Sequence, residues 1–208
     1  FRSVQDEDPH LYDSDARDIN DLGQIVGSSG DLAFLWVPDV FHGIPAKDPW
    51  GLPRFPDNGG VYGWGLNDGD PLQVVGWGEY GECPCHEQPG QNLGFRWLSS
   101  DPGNLIPVFP PNDQWEWENC YVYAVNPTAS AGMKLAGMAC YCGIGVPPEP
   151  HMCAGLDADS GPNMLSLGLP QGFGGPEGRA RDVNDSGELV GWAEDEEFSN
   201  RDRALYWE

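Results

Sequence analysis

Two short stretches of this chain carry clustered side-chain oxygens at a spacing that a metal ion could use. Residues 18–23 read Asp-Ile-Asn-Asp-Leu-Gly and residues 182–187 read Asp-Val-Asn-Asp-Ser-Gly. A calcium loop begins in this way, because Ca²⁺ is bound by oxygens and the loop turns at a glycine in its sixth position. Neither stretch has a carboxylate at its fifth position or a glutamate at its twelfth, so a polar β-turn is the favoured interpretation. The calcium candidates are Asp18, Asn20, Asp21, Asp182, Asn184 and Asp185.

A second pattern combines aromatic rings with carboxylates. In the stretch Gln-Trp-Glu-Trp-Glu at 114–118, strand alternation would place Glu116 and Glu118 on one face, about 7 Å apart. Carboxylates at that distance occur in inverting glycosidases. A general acid also needs a pKa raised by burial, which nothing in this stretch indicates, so a solvated edge strand is favoured. The candidates for sugar contact lie in or beside glycine-rich segments: Trp50, Trp64, Trp77 and Trp192.

The six cysteines are the third group of residues whose side chains could carry chemistry. Their even number predicts disulfides and an oxidising compartment. A thiolate zinc site is the alternative, but zinc ribbons usually space their pairs as Cys-x₂-Cys, whereas this chain has two Cys-x-Cys pairs. About 15 pairings are open, and the sequence does not choose among them. The cysteines are Cys83, Cys85, Cys120, Cys140, Cys142 and Cys153.

Composition narrows the classes of function. Ten basic and 33 acidic residues give a net charge of −23, which repels phosphate backbones and anionic lipids. No stretch approaches the roughly 18 apolar residues of a membrane span. Signatures of serine hydrolases, zinc proteases, P-loop proteins and dinucleotide enzymes are absent from the sequence. We therefore expect no catalytic residues, no nucleic-acid partner, no membrane insertion and no cofactor, with calcium as the one open alternative.

The elements that must position these residues are repeated. A self-comparison finds one unit four times: an apolar residue followed by Asn and usually Asp, then a short apolar strand ending in Gly, then a strand ending near an aromatic residue and Trp. Asn-Asp followed by Gly is turn chemistry, so each box joins two strands of a hairpin. The predicted turn residues are Asn20, Asp21, Gly23, Asn67, Asp68, Asn126, Asn184, Asp185 and Gly187.

The first and fourth units resemble a known family. Both read Ala-x-x-Ile/Val-Asn-Asp-x-Gly-x-Ile/Leu-Val-Gly, and they continue to Ala-Phe-Leu-Trp at 33–36 and Ala-Leu-Tyr-Trp at 204–207. This pattern is similar to the HAF-type extracellular repeats of bacterial secreted and surface proteins. The resemblance covers most of the chain in four copies. It implies an extracellular, propeller-like repeat protein without an established catalytic activity.

Together these features predict an all-β, loop-rich and disulfide-stapled fold, a propeller-like array of four repeats of short antiparallel strands. With 29 Gly, 20 Pro and 24 aromatic residues, the chain is rich in turns yet able to bury a core. We expect a single domain over 16–208, with repeats at about 16–60, 61–119, 120–178 and 179–208. Residues 1–15 are expected to form a strand or tail that pairs with its own ring or with a neighbouring subunit.

The predicted function follows from that tail. We expect a non-enzymatic, extracellular or cell-surface structural protein whose copies associate into a filament-like appendage, with His10, Leu11 and Tyr12 as the assembly residues. The first alternative is a lectin-like module that binds glycans through exposed tryptophans. The second alternative, a glycoside hydrolase, depends on the carboxylate pair at Glu116 and Glu118.

Overall fold

The computed structural model describes residues 14–38, 50–55, 59–80, 91–108, 117–126, 134–141, 149–156, 165–166, 178–194 and 202–207. Within these residues all regular structure is β-strand, which confirms the predicted all-β class. The strands are β1 (Ser14–Ile19), β2 (Ile25–Ser29), β3 (Leu32–Trp36), β4 (Trp50–Gly51), β5 (Val61–Leu66), β6 (Gln73–Tyr80), β7 (Gln91–Leu98), β8 (Asp101–Val108), β9 (Trp117–Val125), β10 (Lys134–Tyr141), β11 (Glu149–Leu156), β12 (Leu165–Ser166), β13 (Gly178–Val183), β14 (Leu189–Glu194) and β15 (Asp202–Trp207).

The strands form four small antiparallel sheets that follow one another in chain order. The first sheet contains β1 to β4, the second β5 to β8 and the third β9 to β12, while the described part of the fourth contains β13 to β15. Within every sheet, each strand pairs with the strand next to it in the sequence. The prediction of four units of short antiparallel strands is therefore confirmed. Among the described strands we find no closed barrel and no closed propeller.

Consecutive sheets pack on each other through the first strand of the later sheet. Strand β5 lies against β1, β2 and β3, strand β9 lies against β5, β6 and β7, and strand β13 lies against β9, β10 and β11. One apolar cluster joins the first two sheets through residues such as Val26, Leu35 and Val61. Another joins the last two through Ala136, Val183 and neighbouring residues. Each of the first three sheets is therefore covered on one face by the first strand of the next.

Each sheet also contains a β-bulge at the same place in its first strand. The pairing with the second strand skips one residue: Arg17 in β1, Trp64 in β5, Tyr123 in β9 and Arg181 in β13. A bulge leaves its extra residue outside the ladder and re-aims that side chain. The four bulged residues occupy equivalent positions of the four repeats, two residues before the Ile, Leu or Val that precedes the turn asparagine.

The bulge explains the glycine of the Val-Gly signature. In three sheets this glycine lies opposite the bulged strand, where a Cβ atom would collide with a backbone carbonyl oxygen. The distance from an ideal Cβ to that oxygen is 2.0 Å at Gly27 (Asp15), 2.0 Å at Gly76 (Tyr62) and 2.1 Å at Gly191 (Arg179). Glycine is thus required by close approach of two backbones, a constraint that repeats with the unit.

Candidate functional site

The asparagine of each box lies between the first and second strands of its sheet, where its side chain closes the turn. In all four repeats the asparagine forms two hydrogen bonds with one residue beyond the turn. Its backbone N–H donates to the carbonyl oxygen of that residue, and its Oδ1 accepts from the backbone N–H of the same residue. These Oδ1 bonds are Asn20 to Gln24 (2.9 Å), Asn67 to Gln73 (2.8 Å), Asn126 to Lys134 (2.8 Å) and Asn184 to Glu188 (3.0 Å). Two turns also use a glycine in the left-handed region, Gly23 at φ 74° and Gly187 at φ 90°.

The turns of the first two repeats are hydrogen-bonded to each other. Asn20 Nδ2 donates to the carbonyl oxygen of Asn67 at 3.0 Å. The backbone N–H of Asp21 donates to Asp68 Oδ1 at 2.8 Å. These bonds cross from one sheet to the next, so the turn side chains link repeats in addition to shaping hairpins.

The turns of the last two repeats are linked in a similar way. Asn126 Nδ2 donates to Asp185 Oδ1 at 3.0 Å, and the Lys134 ammonium donates to the carbonyl oxygen of Asp185. The aliphatic part of Lys134 also passes close to Gly187, where an added Cβ would lie 3.3 Å from Lys134 Cδ. The predicted turn residues therefore gather at one end of the sheets, in neighbouring pairs.

The four bulged side chains form a row that crosses the sheets. The Arg17 guanidinium lies 3.9 Å from the centroid of the Trp64 ring. The Trp64 ring meets Tyr123 edge-on at 5.0 Å, and the Arg181 guanidinium lies 5.1 Å from the Tyr123 centroid. Each cation–π contact of this kind contributes about 0.5–1 kcal/mol. Sequence reasoning missed the row, although its members share one variable position inside otherwise matching boxes.

The Asp18 carboxylate follows the bulged Arg17 on β1 and is partly buried. Burial raises the pKa of Asp18 above its usual range, and repulsion from Asp182 and Asp68 acts in the same direction. Hydrogen bonds from the backbone N–H groups of Leu66 and Ile19 oppose the rise. Within the described ranges, no group of three or more His, Cys, Asp or Glu side chains could hold a metal ion.

Of the four tryptophans considered for sugar contact, three are half-buried against other side chains. Trp77 packs on Tyr62 with centroids 4.3 Å apart and meets Tyr121 edge-on at 5.2 Å. Trp64 belongs to the row described above, and Trp192 has the Arg179 guanidinium 5.6 Å from its ring centroid. The fourth, Trp50, is in β4, and its side chain lies outside the described part of the structure. The described rings are thus engaged in contacts between repeats or within one sheet.

The cysteines are only partly covered by the described residues. Cys120 lies fully buried on β9. On the neighbouring strands, Cys140 is opposite Asn119 and Cys153 is opposite Gly137. The remaining three, Cys83, Cys85 and Cys142, lie outside the described ranges, so the disulfides stay a prediction.

Other predicted residues also fall outside those ranges. The assembly residues His10, Leu11 and Tyr12 are not among the described residues, and neither is Glu116. Glu118 lies on β9, but its side chain is not described. Of the predicted tail at 1–15, Ser14 and Asp15 belong to β1, where they pair with Ser29 and Ser28 of β2.

The fourth sheet differs from the other three in the exposure of one of its faces. The valine or alanine before the repeated glycine is fully buried in the first three repeats, at Val26, Val75 and Ala136 (each 0% exposed). The equivalent Val190 is 47% exposed. Opposite it on β15, Tyr206 is 52% exposed, whereas its repeat equivalent Leu35 is 3% exposed. We call Val190, Ala204 and Tyr206 the trailing face.

The first sheet shows the reverse difference on its opposite face. The last residue of the first strand is buried in the later repeats, at Leu66, Val125 and Val183, which are 6%, 5% and 4% exposed. The equivalent Ile19 is 62% exposed. Ala16 is also exposed, although its equivalents Val122 and Ala180 are fully buried. We call Ala16 and Ile19 the leading face.

Comparisons with known proteins add no relative to this description. No family model, curated protein or solved structure matches the chain. In the part of the chain that the structure describes, no helix is long and apolar enough to cross a membrane. The two exposed end faces and the row of bulged residues are therefore the features on which a function can be argued.

Proposed function

We propose that this chain is a non-enzymatic structural protein of the cell surface or extracellular space, whose copies associate head to tail. In this proposal the four sheets are blades of a propeller-like array, and the trailing face of one copy packs on the leading face of the next. The observation that carries it is the exposure of Ile19 and Val190, whose repeat equivalents are all buried between sheets.

The interface between the first two sheets indicates which residues would meet if these two faces packed together. At Gly63, the equivalent of Ala16, an added Cβ would lie 2.6 Å from Val26 Cγ2 and 3.6 Å from Ala33 Cβ. The same contact between copies would set Ala16 against Val190 and Ala204. Inside the chain the larger Val122 occupies this position opposite Gly94, so a contact between Ala16 and Ala204 would require the facing strand to shift.

A contact between two different faces is heterologous, and such contacts produce rings or open filaments. A ring closed within one chain would bring Ile19 and Val190 of that chain together and bury them. In the structure both side chains remain exposed instead, which supports contacts between copies over closure of a single chain.

The surrounding properties agree with an extracellular role. The even number of cysteines and the resemblance to secreted repeats favour an oxidising compartment. A net charge of −23 would keep single copies soluble until the apolar faces meet. Carbohydrate binding has less support, because Trp64 and Trp77 pack against tyrosines of the protein itself.

The experiment is a mixing test with two single variants. Ile19→Lys should disable only the leading face and Val190→Lys only the trailing face, so each variant alone should be monomeric by light scattering where the unsubstituted protein assembles. An equimolar mixture should form a dimer and nothing larger, because one intact face of each kind remains. Leu22→Lys is the matched control: Leu22 is 66% exposed in the turn that follows β1 and belongs to neither face, so assembly should persist.

Two results would overturn the proposal. One is an unsubstituted protein that stays monomeric at every concentration tested, which would indicate closure within the chain or no association. The other is a pair of variants that assemble as well as the unsubstituted protein, since the faces would then play no part.

A further inference from the structure

One turn box has the sequence of an N-glycosylation acceptor. Residues 184–186 read Asn-Asp-Ser, and oligosaccharides are attached to the asparagine of Asn-x-Ser or Asn-x-Thr where x is not proline. No other asparagine of this sequence stands in such a triplet: the first two boxes continue as Asn-Asp-Leu and Asn-Asp-Gly, and the third continues as Asn-Pro-Thr. The triplet is short and occurs often by chance, so an acceptor must also be accessible in the folded turn.

The four turn asparagines differ in exposure. Asn67 and Asn126 are each 1% exposed, and Asn20 is half-buried. Asn184 is the exposed member of the set. The one turn asparagine that stands in an acceptor triplet is therefore also the one that solvent reaches most easily.

The triplet is held in place by its middle residue. Asp185 accepts a hydrogen bond from Asn126 Nδ2 through Oδ1 and another from the Lys134 ammonium through its carbonyl oxygen. The residues on either side of it, Asn184 and Ser186, are both exposed. The turn is thus anchored on the third sheet at its centre and open to solvent at both of its outer side chains.

The amide hydrogens of the exposed asparagine are also used differently. An asparagine side chain has two Nδ2 hydrogens, of which N-glycosylation replaces one. Asn20 Nδ2 makes two donations, to Gln24 Oε1 at 2.7 Å and to the Asn67 carbonyl oxygen at 3.0 Å. Among the described residues, Asn184 Nδ2 donates to Glu188 Oε2 alone. One hydrogen therefore remains for substitution, while Asn184 Oδ1 continues to accept the Glu188 N–H that closes the turn.

We infer that Asn184 is an acceptor of an N-linked oligosaccharide, which a lipid-linked oligosaccharide pyrophosphate would donate. Asn184 Nδ2 attacks C1 of the first sugar, so that the N–C1 bond forms as the bond from C1 to the phosphate oxygen breaks. The lipid pyrophosphate leaves with the electron pair of that bond, and one Nδ2 proton is released. The secondary amide keeps one N–H, which can still donate to Glu188.

The modified position is also a place where turns of consecutive repeats meet. Asn20, the equivalent of Asn184 in the first repeat, donates to the carbonyl oxygen of Asn67 in the next. In a head-to-tail assembly the equivalent acceptor for Asn184 is Asn20 of the following copy. A glycan would fill this joint, so a modified copy would bind through its leading face and accept no copy on its trailing face. This role as a terminator of assembly rests on the proposed function.

The first test treats the folded, full-length protein with an oligosaccharyltransferase and a lipid-linked oligosaccharide. Intact mass and peptide mapping should show one glycan, on Asn184, and the melting temperature should be the same before and after. Ser186→Ala is the matched control and should receive no glycan. An unfolded peptide of residues 181–188 should be modified by the same enzyme. Modification of the peptide but not of the protein, or of neither, would overturn the acceptor assignment.

A second variant separates the structure of the turn from its sequence. Leu22→Ser creates an Asn-Asp-Ser triplet in the first box, at a residue that is 66% exposed. Asn20 should be modified roughly tenfold more slowly than Asn184, or not at all, because bonds from its Nδ2 must first break. Equal rates at the two sites would show that the folded turn does not select Asn184, and would overturn the inference.

The terminator role is tested on modified protein separated from unmodified protein. Modified copies should be monomeric by light scattering, and with the Ile19→Lys variant they should form a dimer and nothing larger. Ser186→Ala should assemble as the unsubstituted protein does. Full assembly of modified copies would overturn the terminator role, whereas failure of unmodified copies to assemble would overturn the proposed function. The acceptor assignment is decided separately, by the mass of the folded protein.

Discussion

The interfaces between consecutive sheets and the two end faces are built from equivalent residues, yet they have opposite exposure. Val26 is covered by the second sheet, whereas the equivalent Val190 of the fourth sheet is 47% exposed. Leu66 is covered by packing on the first sheet, whereas the equivalent Ile19 of the first sheet is 62% exposed. Burial at these positions is therefore decided by the neighbour and not by the local sequence.

Two constraints act on the repeat: close backbone approach within a sheet and side-chain burial between sheets. Close backbone approach inside a sheet recurs in the first, second and fourth repeats, because Gly27, Gly76 and Gly191 all face a carbonyl oxygen. Side-chain burial between sheets does not extend to the leading face and the trailing face. Substitutions within a sheet should thus cost folding stability anywhere, while substitutions on the end faces should cost association.

The largest effect is expected where a glycine inside a sheet has no room for a side chain. At Gly76 an added Cβ would lie 2.0 Å from the Tyr62 carbonyl oxygen and 2.9 Å from the Phe95 ring, so Gly76→Ala should destabilise by about 3 kcal/mol. Gly103→Ala is the control in the same sheet, since no atom lies within 4 Å of its added Cβ. Denaturant unfolding measures both, and equal stability of the two variants would contradict the packing described here.

The next effect contrasts a buried valine with its exposed equivalent. Val26→Ala should lower the free energy of unfolding by about 2.5 kcal/mol, because it removes two methyl groups from a closed interface. Val190→Ala should change it by less than about 0.5 kcal/mol when measured on monomers, yet weaken assembly. Unfolding at low protein concentration and light scattering at high concentration separate the two quantities. Similar unfolding costs at both sites would mean that Val190 is covered within the chain.

A smaller contrast is expected between turn asparagines. Asn67 is 1% exposed and its Oδ1 accepts the Gln73 N–H, so Asn67→Ala leaves a buried donor without its partner and should cost about 2 kcal/mol. Asn184 is exposed, and water can replace its bond to the Glu188 N–H, so Asn184→Ala should cost about 1 kcal/mol. Thermal melting ranks the two variants, and a larger loss at Asn184 would reverse this account of the turns.

The smallest effect concerns the pH dependence of stability at Asp18. Because the folded state raises the pKa of Asp18, folding favours its protonated form, and its contribution to stability is lost as the pH rises above the ordinary carboxyl value of 3.8. Asp18→Asn should make the free energy of unfolding fall less steeply over that rise. Asp202→Asn removes the same charge from the exposed start of β15 and should leave the slope unchanged. Parallel slopes for the Asp18→Asn variant and the unsubstituted protein would contradict the assigned shift.

The parts of the fold that could be predicted from the sequence depend on local chemistry. The all-β class followed from alternating strands and from turn boxes such as Asn20 with Gly23. The row of bulged side chains could not be predicted in this way, because Arg17, Trp64, Tyr123 and Arg181 differ in type and match only in position. The contacts between these four side chains depend on how the sheets pack on one another.

The exposure of the leading and trailing faces could not be predicted from the sequence, for a different reason. Val26 and Val190 lie in nearly identical stretches, Ile-Val-Gly and Leu-Val-Gly, and any local pattern assigns them the same environment. Their environments differ because strand β5 packs on the sheet that contains Val26, whereas Val190 is 47% exposed. The sequence-based assembly proposal therefore pointed to the N-terminal tail, whereas the described structure draws attention first to the sheets at the two ends.

The most direct test of the account is a photo-cross-link from position 190. A photoreactive residue replaces Val190 in two batches of protein, one of natural isotopic composition and one labelled with ¹⁵N, which are mixed before assembly and irradiation. The account predicts cross-links from position 190 to residues 16–19 that join a labelled chain to an unlabelled one. Cross-links found only within single chains, all labelled or all unlabelled, would show that the two faces close on each other and would contradict head-to-tail association.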